Sequence, residues 1–127
     1  MTRKIIKPAG APVAVGPYNQ AVSTGSLVFT AGQIPLDPVS GAIVGSDIKA
    51  QTEQVLKNLD AVLKGAGTSF DNAVKMTVFL KDMNDFAGMN EVYAKFINAE
   101  NAPARSTIQV ARLPKDALVE IEAIAII

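Results

Sequence analysis

The chain has 127 residues, no cysteine, no histidine and no tryptophan, and its 12 basic side chains balance 12 acidic ones. Without Cys there is no disulfide framework, thiolate metal site, iron–sulfur site or thiol nucleophile, which points to a reducing compartment. Without His there is no Ser/His/Asp triad, HExxH helix or imidazole acid/base, so chemistry falls to carboxylates, hydroxyls, Lys, Arg and the backbone. The length fits one domain covering 1–127. Charged residues make up only 19% against 49% hydrophobic, where about 25% charged is usual, so part of the surface is expected to face another subunit. Zero net charge argues against a nucleic-acid partner. Arg3, Lys4, Ile5 and Ile6 are interrupted by Lys7 and Pro8, which leaves no apolar core for a signal peptide of about 7–15 residues. No apolar run approaches the roughly 18 residues of a membrane span. The expectation is a cytoplasmic protein with no membrane association.

The first third is punctuated by Pro8, Gly10, Pro12, Gly16, Pro17, Gly25, Gly32, Pro35, Pro38, Gly41 and Gly45, a pattern of short strands and loops. Two strands, Ala21 to Ser23 and Leu27 to Ala31, form a hairpin about Gly25 and Ser26, and Leu36 to Gly41 is a turn. The period then changes. Val55, Leu56, Leu59, Val62 and Leu63 share one helical stripe between Asp47 and Lys64, with Ser46 or Asp47 as the cap and Gly65 expected in the left-handed position beyond the end. Strict alternation follows, placing Val74, Met76, Val78 and Leu80 on one strand face and Lys75, Thr77, Phe79 and Lys81 on the other. Phe86, Met89, Tyr93, Phe96 and Ile97 mark a second helix over about 84–98. After Pro103, strands over Arg105 to Arg112 and Leu118 to Ile127 flank a Leu113 to Asp116 turn. The order β-β(-β)-α-β-α-β-β predicts an α+β fold, one sheet of five or six strands with two helices on one face. The other face needs a cover, because monomers seldom leave a large apolar patch exposed, and a homo-oligomer is expected.

Several residues could carry chemistry. Alternation puts Arg105, Thr107, Gln109 and Ala111 on one face of their strand, while Glu120 and Glu122 sit in an otherwise apolar segment. One reading makes these carboxylates structural partners of Arg105 or Arg112, or residues of a wet sheet face. The other has Arg105 and Glu120 line one small cleft, the Arg gripping a carboxylate by a bidentate fork and the Glu handling a water or a proton. Gly16, Pro17 and Tyr18 form a rigid turn that either presents a phenol or fills the edge of the core. Gly32 follows a strand directly, where backbone N–H groups can face a ligand or the turn simply needs Gly. Asn90 falls among the apolar positions of the second helix, as a cleft residue or a boundary residue.

Taken together, GPYNQAV (16–22), FTAGQIPLDPVSG (29–41), AQTEQVLKNLDAVLKGAG (50–67), VKMTVFLKDMNDFAGMNEVYAKF (74–96) and PARSTIQVARLPKDALVEIEAIA (103–125) closely resemble the reactive intermediate deaminase (Rid) family, in its RidA subgroup of 2-iminobutanoate/2-iminopropanoate deaminases. The likeness runs from about Lys7 to the C-terminus. It implies a chorismate-mutase-like fold and a homotrimer, whose sheets form a central β-barrel with active sites in the clefts between subunits. It further implies a hydrolase that turns 2-imino and enamine acids, made by pyridoxal-phosphate dehydratases, into 2-oxo acids and ammonia, without a metal or cofactor. By the same resemblance Arg105 anchors the substrate carboxylate and Glu120 holds the hydrolytic water. Tyr18 and Asn90 line the cleft, and the backbone about Ala31, Gly32 and Thr107 supplies polar contacts. Ala31 stands where many relatives have Ser, and Thr107 where many have Cys.

Relatives have also been described as translation inhibitors, ribonucleases and partners of metabolic enzymes, so a regulatory or ligand-sensing protein using the same cleft is the competing reading. Cleavage of RNA is disfavoured by the absence of His, of a basic run and of net positive charge. A chorismate mutase would need a cluster of cations that the chain does not offer.

Overall fold

The computed structural model describes residues 2–127. Six strands form one sheet in the order β1-β2-β3-β6-β4-β5, with β1 at Arg3–Ile6, β2 at Ala21–Thr24, β3 at Leu27–Thr30, β4 at Ala73–Leu80, β5 at Ala104–Gln109 and β6 at Val119–Ile126. The helices are α1, Ile48–Gly65, and α2, Phe86–Phe96. All neighbours run antiparallel except β4 and β5, whose parallel pairing needs a crossover, and α2 supplies it. The optional third strand ahead of the first helix lies before the hairpin, at Arg3–Ile6. There it borders β2, with Arg3 opposite Thr24.

Asp47 caps α1, its Oδ1 accepting from the Ala50 N–H at 2.8 Å. The expected stripe Val55, Leu56, Leu59, Val62 and Leu63 is fully buried. Each such side chain contributes roughly 1.5–3 kcal/mol through burial. The C-terminus differs from expectation. Gly65 is the last helical residue, and the left-handed conformation belongs to Gly67, at φ +84°. Gly67 and Thr68 return their N–H groups to Lys64 and Leu63, both at 3.0 Å. Gly65 is needed for another reason: a Cβ there would collide with the Pro8 ring.

In β4, Met76, Val78 and Leu80 are buried as alternation predicts, but Val74 is exposed and Ala73 takes its place. A bulge between Ala73 and Lys75, opposite β6, resets the alternation there. β5 stops at Gln109 rather than Arg112 because β4 ends at Leu80. Val110 makes the last bond of the pairing, to the Leu80 carbonyl at 2.9 Å. In α2 the periodic residues Met89 and Tyr93 are buried, as is Ile97 just past the helix end, and Phe86 is largely out of the core.

Both helices cover the same sheet face. The core lies between α1, α2 and the inward residues Val28, Met76, Val78, Leu80, Ile121 and Ala125. Two buried amides tie the irregular 32–46 segment to it. Asn58 Nδ2 donates to the carbonyls of Ile34 and Leu36 at 3.1 and 2.9 Å. Gln51 donates to the Gly45 carbonyl at 3.1 Å and accepts from the Leu118 N–H at 2.8 Å. No helix among the described residues is long and apolar enough to cross a membrane.

Candidate active site in two halves

Arg105 lies on β5, at the edge of the sheet, in register with Met76 and therefore on the helix-covered face. α2 passes over it. The guanidinium stacks on the Tyr93 ring at 4.6 Å and stands 5.5 Å from the Phe86 ring, while Nη1 donates to Asn90 Oδ1 at 2.7 Å. No carboxylate among the described residues pairs with Arg105, so the fork keeps donors free for an incoming anion. Aromatic stacking orients a guanidinium without neutralising it. Tyr93 is buried and its hydroxyl donates to the Met76 sulfur at 3.3 Å. Burial lifts that hydroxyl above its ordinary range, and the Arg105 charge works in the opposite direction. A cleft of about 360 Å³ opens beside Arg105, walled by Asn90, Tyr93, Ala94 and Ile97. Thr107, two residues on, is half-buried on the same face, and its hydroxyl meets no partner in the chain. In a parallel ladder a residue's N–H and C=O point to one side. Because Val110 bonds Leu80, the backbone groups of Arg105 and Thr107 point to the open edge.

Glu120 lies on β6 opposite Phe79, and Glu122 opposite Thr77. These four residues occupy the other sheet face, the one no helix covers. Glu120 is half-buried, and burial first, then the Glu122 charge, raises its carboxyl above the usual glutamate range. Its side chain packs against Gly32, where a Cβ would run into the carboxylate. Gly32 is therefore fixed by close approach. The chain at this point is held by Gln33, which exchanges both backbone hydrogen bonds with Ile121 at 2.9 and 3.1 Å, and by Ala31, whose N–H donates to the Gln20 carbonyl at 2.8 Å. Gly32 and Tyr18 share a second cleft, of about 310 Å³, with Gln33, Pro114 and Lys115 on its walls. The Tyr18 phenol is half-exposed and accepts from the Val15 N–H at 3.3 Å.

The predicted residues thus fall into two groups. Arg105, Asn90 and Thr107 come together under α2, while Glu120, Ala31, Gly32 and Tyr18 gather at the β6 edge of the 32–46 segment. Arg105 and Glu120 do not line one cleft within the chain, because strand register sends them to opposite faces. Nor are Glu120 and Glu122 paired with Arg105 or Arg112: Arg112 forks onto Asp116 at 2.9 and 3.2 Å. Phe86 and Tyr93 are the neighbours of Arg105 that periodicity alone assigns to the core. The signal was the i, i+4, i+7 relation of Phe86, Asn90 and Tyr93, which places two rings and an amide on one side of α2.

The uncovered face is apolar. Ile5, Val22, Phe29 and Ile124 follow one another across β1, β2, β3 and β6, joined by Phe79 and Ile108. Ile5, Phe29 and Ile108 each expose more than two-fifths of their surface.

Known proteins share this fold and much of this sequence. The family model described as Endoribonuclease L-PSP matches residues 9–127. A RutC family protein of Pyrococcus horikoshii is 55% identical, with 97% of each chain covered. The 2-iminobutanoate/2-iminopropanoate deaminase of Salmonella typhimurium is 52% identical, again with 97% of each covered. Among solved structures, Escherichia coli TdcF with bound serine superposes with a TM-score of 0.91 at 51% identity, covering 98% of both chains. The Rid-family protein YyfA of Yersinia pestis reaches 0.96 at 46% identity, covering 99% of this chain and 100% of that one. With the fold, the α2-held arginine and matches along nearly its whole length, the chain belongs to the Rid family, also known as RutC or L-PSP.

Proposed function

We propose that the protein is a cytoplasmic hydrolytic deaminase of reactive 2-imino and enamine acids, 2-iminobutanoate and 2-iminopropanoate among them, acting as a homotrimer. The observation that carries this reading is the unpaired Arg105 guanidinium, stacked on Tyr93 and bonded to Asn90, at the mouth of a small cleft. It is a carboxylate receptor, and the 52% identical relative is a deaminase of carboxylate-bearing imines. The opposite placement of Arg105 and Glu120 supports assembly: one copy's helix-side half closes on a neighbour's open-face half, and the apolar open face becomes the buried interface.

In this mechanism Arg105 grips the carboxylate of a protonated imine. A water held by Glu120 adds to C2: the C–O bond forms, the C=N π pair moves to nitrogen, and Glu120 takes the proton. Its raised affinity for a proton suits that role. Glu120 returns that proton to the carbinolamine nitrogen, the C–N bond breaks as ammonia leaves, and the hydroxyl proton passes to Glu120 and on to the departing ammonia as the C=O of the 2-oxo acid forms. The substrate already hydrolyses in water, so positioning and electrostatics suffice. The backbone of Gly32 and Thr107, Tyr18 and Asn90 complete the cleft. Position 31 offers no hydroxyl and position 107 no thiol, so neither group is required.

The test is hydrolysis of 2-iminobutanoate released by a threonine dehydratase, with semicarbazide trapping what remains. Arg105→Ala should lower kcat/KM at least about 100-fold, or roughly 2.7 kcal/mol, and Arg105→Lys should also fail largely because an ammonium lacks the planar fork. An Arg105→Ala protein that assembles normally and keeps full activity would overturn the assignment. The serine held by a 51% identical relative favours ligand sensing as the second reading. A sensor would bind small carboxylates yet show no turnover in the same assay.

A further inference from the structure

Lys115 and Asp116 are the only residues other than glycine with positive φ among the described residues, at 56° and 55°. Together they are the central pair of a tight turn closed by the Ala117 N–H on the Pro114 carbonyl at 3.1 Å. Two consecutive left-handed residues make a type I′ turn, which Asn-Gly or Gly-Gly fills at low cost. Asp tolerates the left-handed region because its short side chain bonds locally, and here the Arg112 fork holds it. A lysine has no such excuse, so the side chain at 115 must repay its backbone. Its ammonium donates to the Gly41 carbonyl at 3.2 Å, across 74 residues of sequence. The segment it reaches is the small loop closed by the Leu36–Ile43 bridge. Leu36 and Lys115 both line the cleft that contains Tyr18 and Gly32.

We propose that Lys115 is a positioning residue for this cleft: it accepts a left-handed backbone so that its ammonium clasps Gly41 and holds the 36–43 loop in place as a wall beside Tyr18 and Gly32. Strain kept at a functional site in this way is a known use of sparsely populated backbone regions. The consequence for catalysis rests on the deaminase reading above, whereas the clasp itself does not.

Lys115→Gly separates the two costs, since glycine relieves the strain and removes the clasp together. The expected result is a melting temperature equal to or above that of the parent, with kcat/KM for 2-iminobutanoate lowered about tenfold and amide ¹⁵N relaxation showing Gly41 and Ala42 loosened. Lys115→Arg, equally strained but able to reach the carbonyl, should restore both the loop order and the rate. Lys115→Met keeps the strain without the bond and should be less stable and slow. A Lys115→Gly protein with parental activity and a rigid Gly41 loop would overturn the proposal. If the parent chain shows no imine hydrolysis, the deaminase reading fails, and the relaxation data alone still decide whether Lys115 holds the loop.

Discussion

The two faces of the sheet carry the two halves of the proposed site, and they are built on different physical terms. On the helix side, Arg105 sits in a pocket finished within the chain: α2 delivers Phe86, Asn90 and Tyr93, and the guanidinium is oriented before any ligand arrives. On the open side, Glu120 is only half-buried, makes no hydrogen bond or ion pair among the described residues and faces an apolar surface that no described element covers. One half is preorganised by packing, and the other, in the proposed assembly, is completed by association. Strand register divides the proposed site. A residue in step with Met76 and one in step with Phe79 cannot meet through a sheet.

The sharpest way to break the comparison is to divide the halves between chains. Arg105→Ala and Glu120→Gln proteins should each be inactive. Co-refolded in equal amounts, they should regain activity, about a quarter of the parental rate if chains mix at random and each site takes Arg105 from one subunit and Glu120 from the next. Dehydratase-coupled assays on the mixed oligomer measure this directly. Recovery absent from a verified mixed assembly would mean that the halves do not complement across subunits.

Periodicity made most of the fold legible, because burial follows it: the α1 stripe, the β4 alternation and the hairpin about Gly25 all lie where the pattern puts them. What escaped was set by partners distant in sequence. Val74 left the core because β6 imposes a bulge. Gly65 is fixed by the approach of Pro8 rather than by a left-handed backbone, which belongs to Gly67. β1 is apolar in only half its length and owes its strand to pairing with β2. At the site, residue types pointed to Arg105 and Glu120 individually. Their separation depended on which residues of β4 they face, a register that no local spacing encodes.

The preorganised half can be sharpened through Tyr93. Tyr93→Leu removes the ring under the guanidinium and should raise KM about two- to thirtyfold, corresponding to roughly 0.5–2 kcal/mol of lost cation–π orientation, with kcat changed less. Tyr93→Phe keeps the ring and should be near parental, losing only the weak bond to the Met76 sulfur. Titration with 2-oxobutanoate followed by NMR checks the affinity independently of turnover. A Tyr93→Leu protein that binds the oxo acid as tightly as the parent would show that the ring does not orient Arg105.

The smallest effect probes the open half. Burial is the larger cause of the raised Glu120 carboxyl and Glu122 the second, so Glu122→Gln should move the acid limb of the kcat/KM profile toward lower pH without bringing it back to an ordinary glutamate. Linkage gives a companion sign. A carboxyl whose folded value is raised binds its proton more tightly in the folded state, so it costs stability as pH rises from the usual glutamate range through the raised one. Glu120→Gln should therefore flatten the stability curve in that window and leave an inactive, more stable protein at neutral pH, while Glu122→Gln flattens it only in part. Chemical denaturation at a series of pH values measures the second effect, and initial rates the first. An acid limb that stays in place in Glu122→Gln while the stability curve shifts would assign that limb to a group other than Glu120, because the imine must be protonated to react and sets only the alkaline limb.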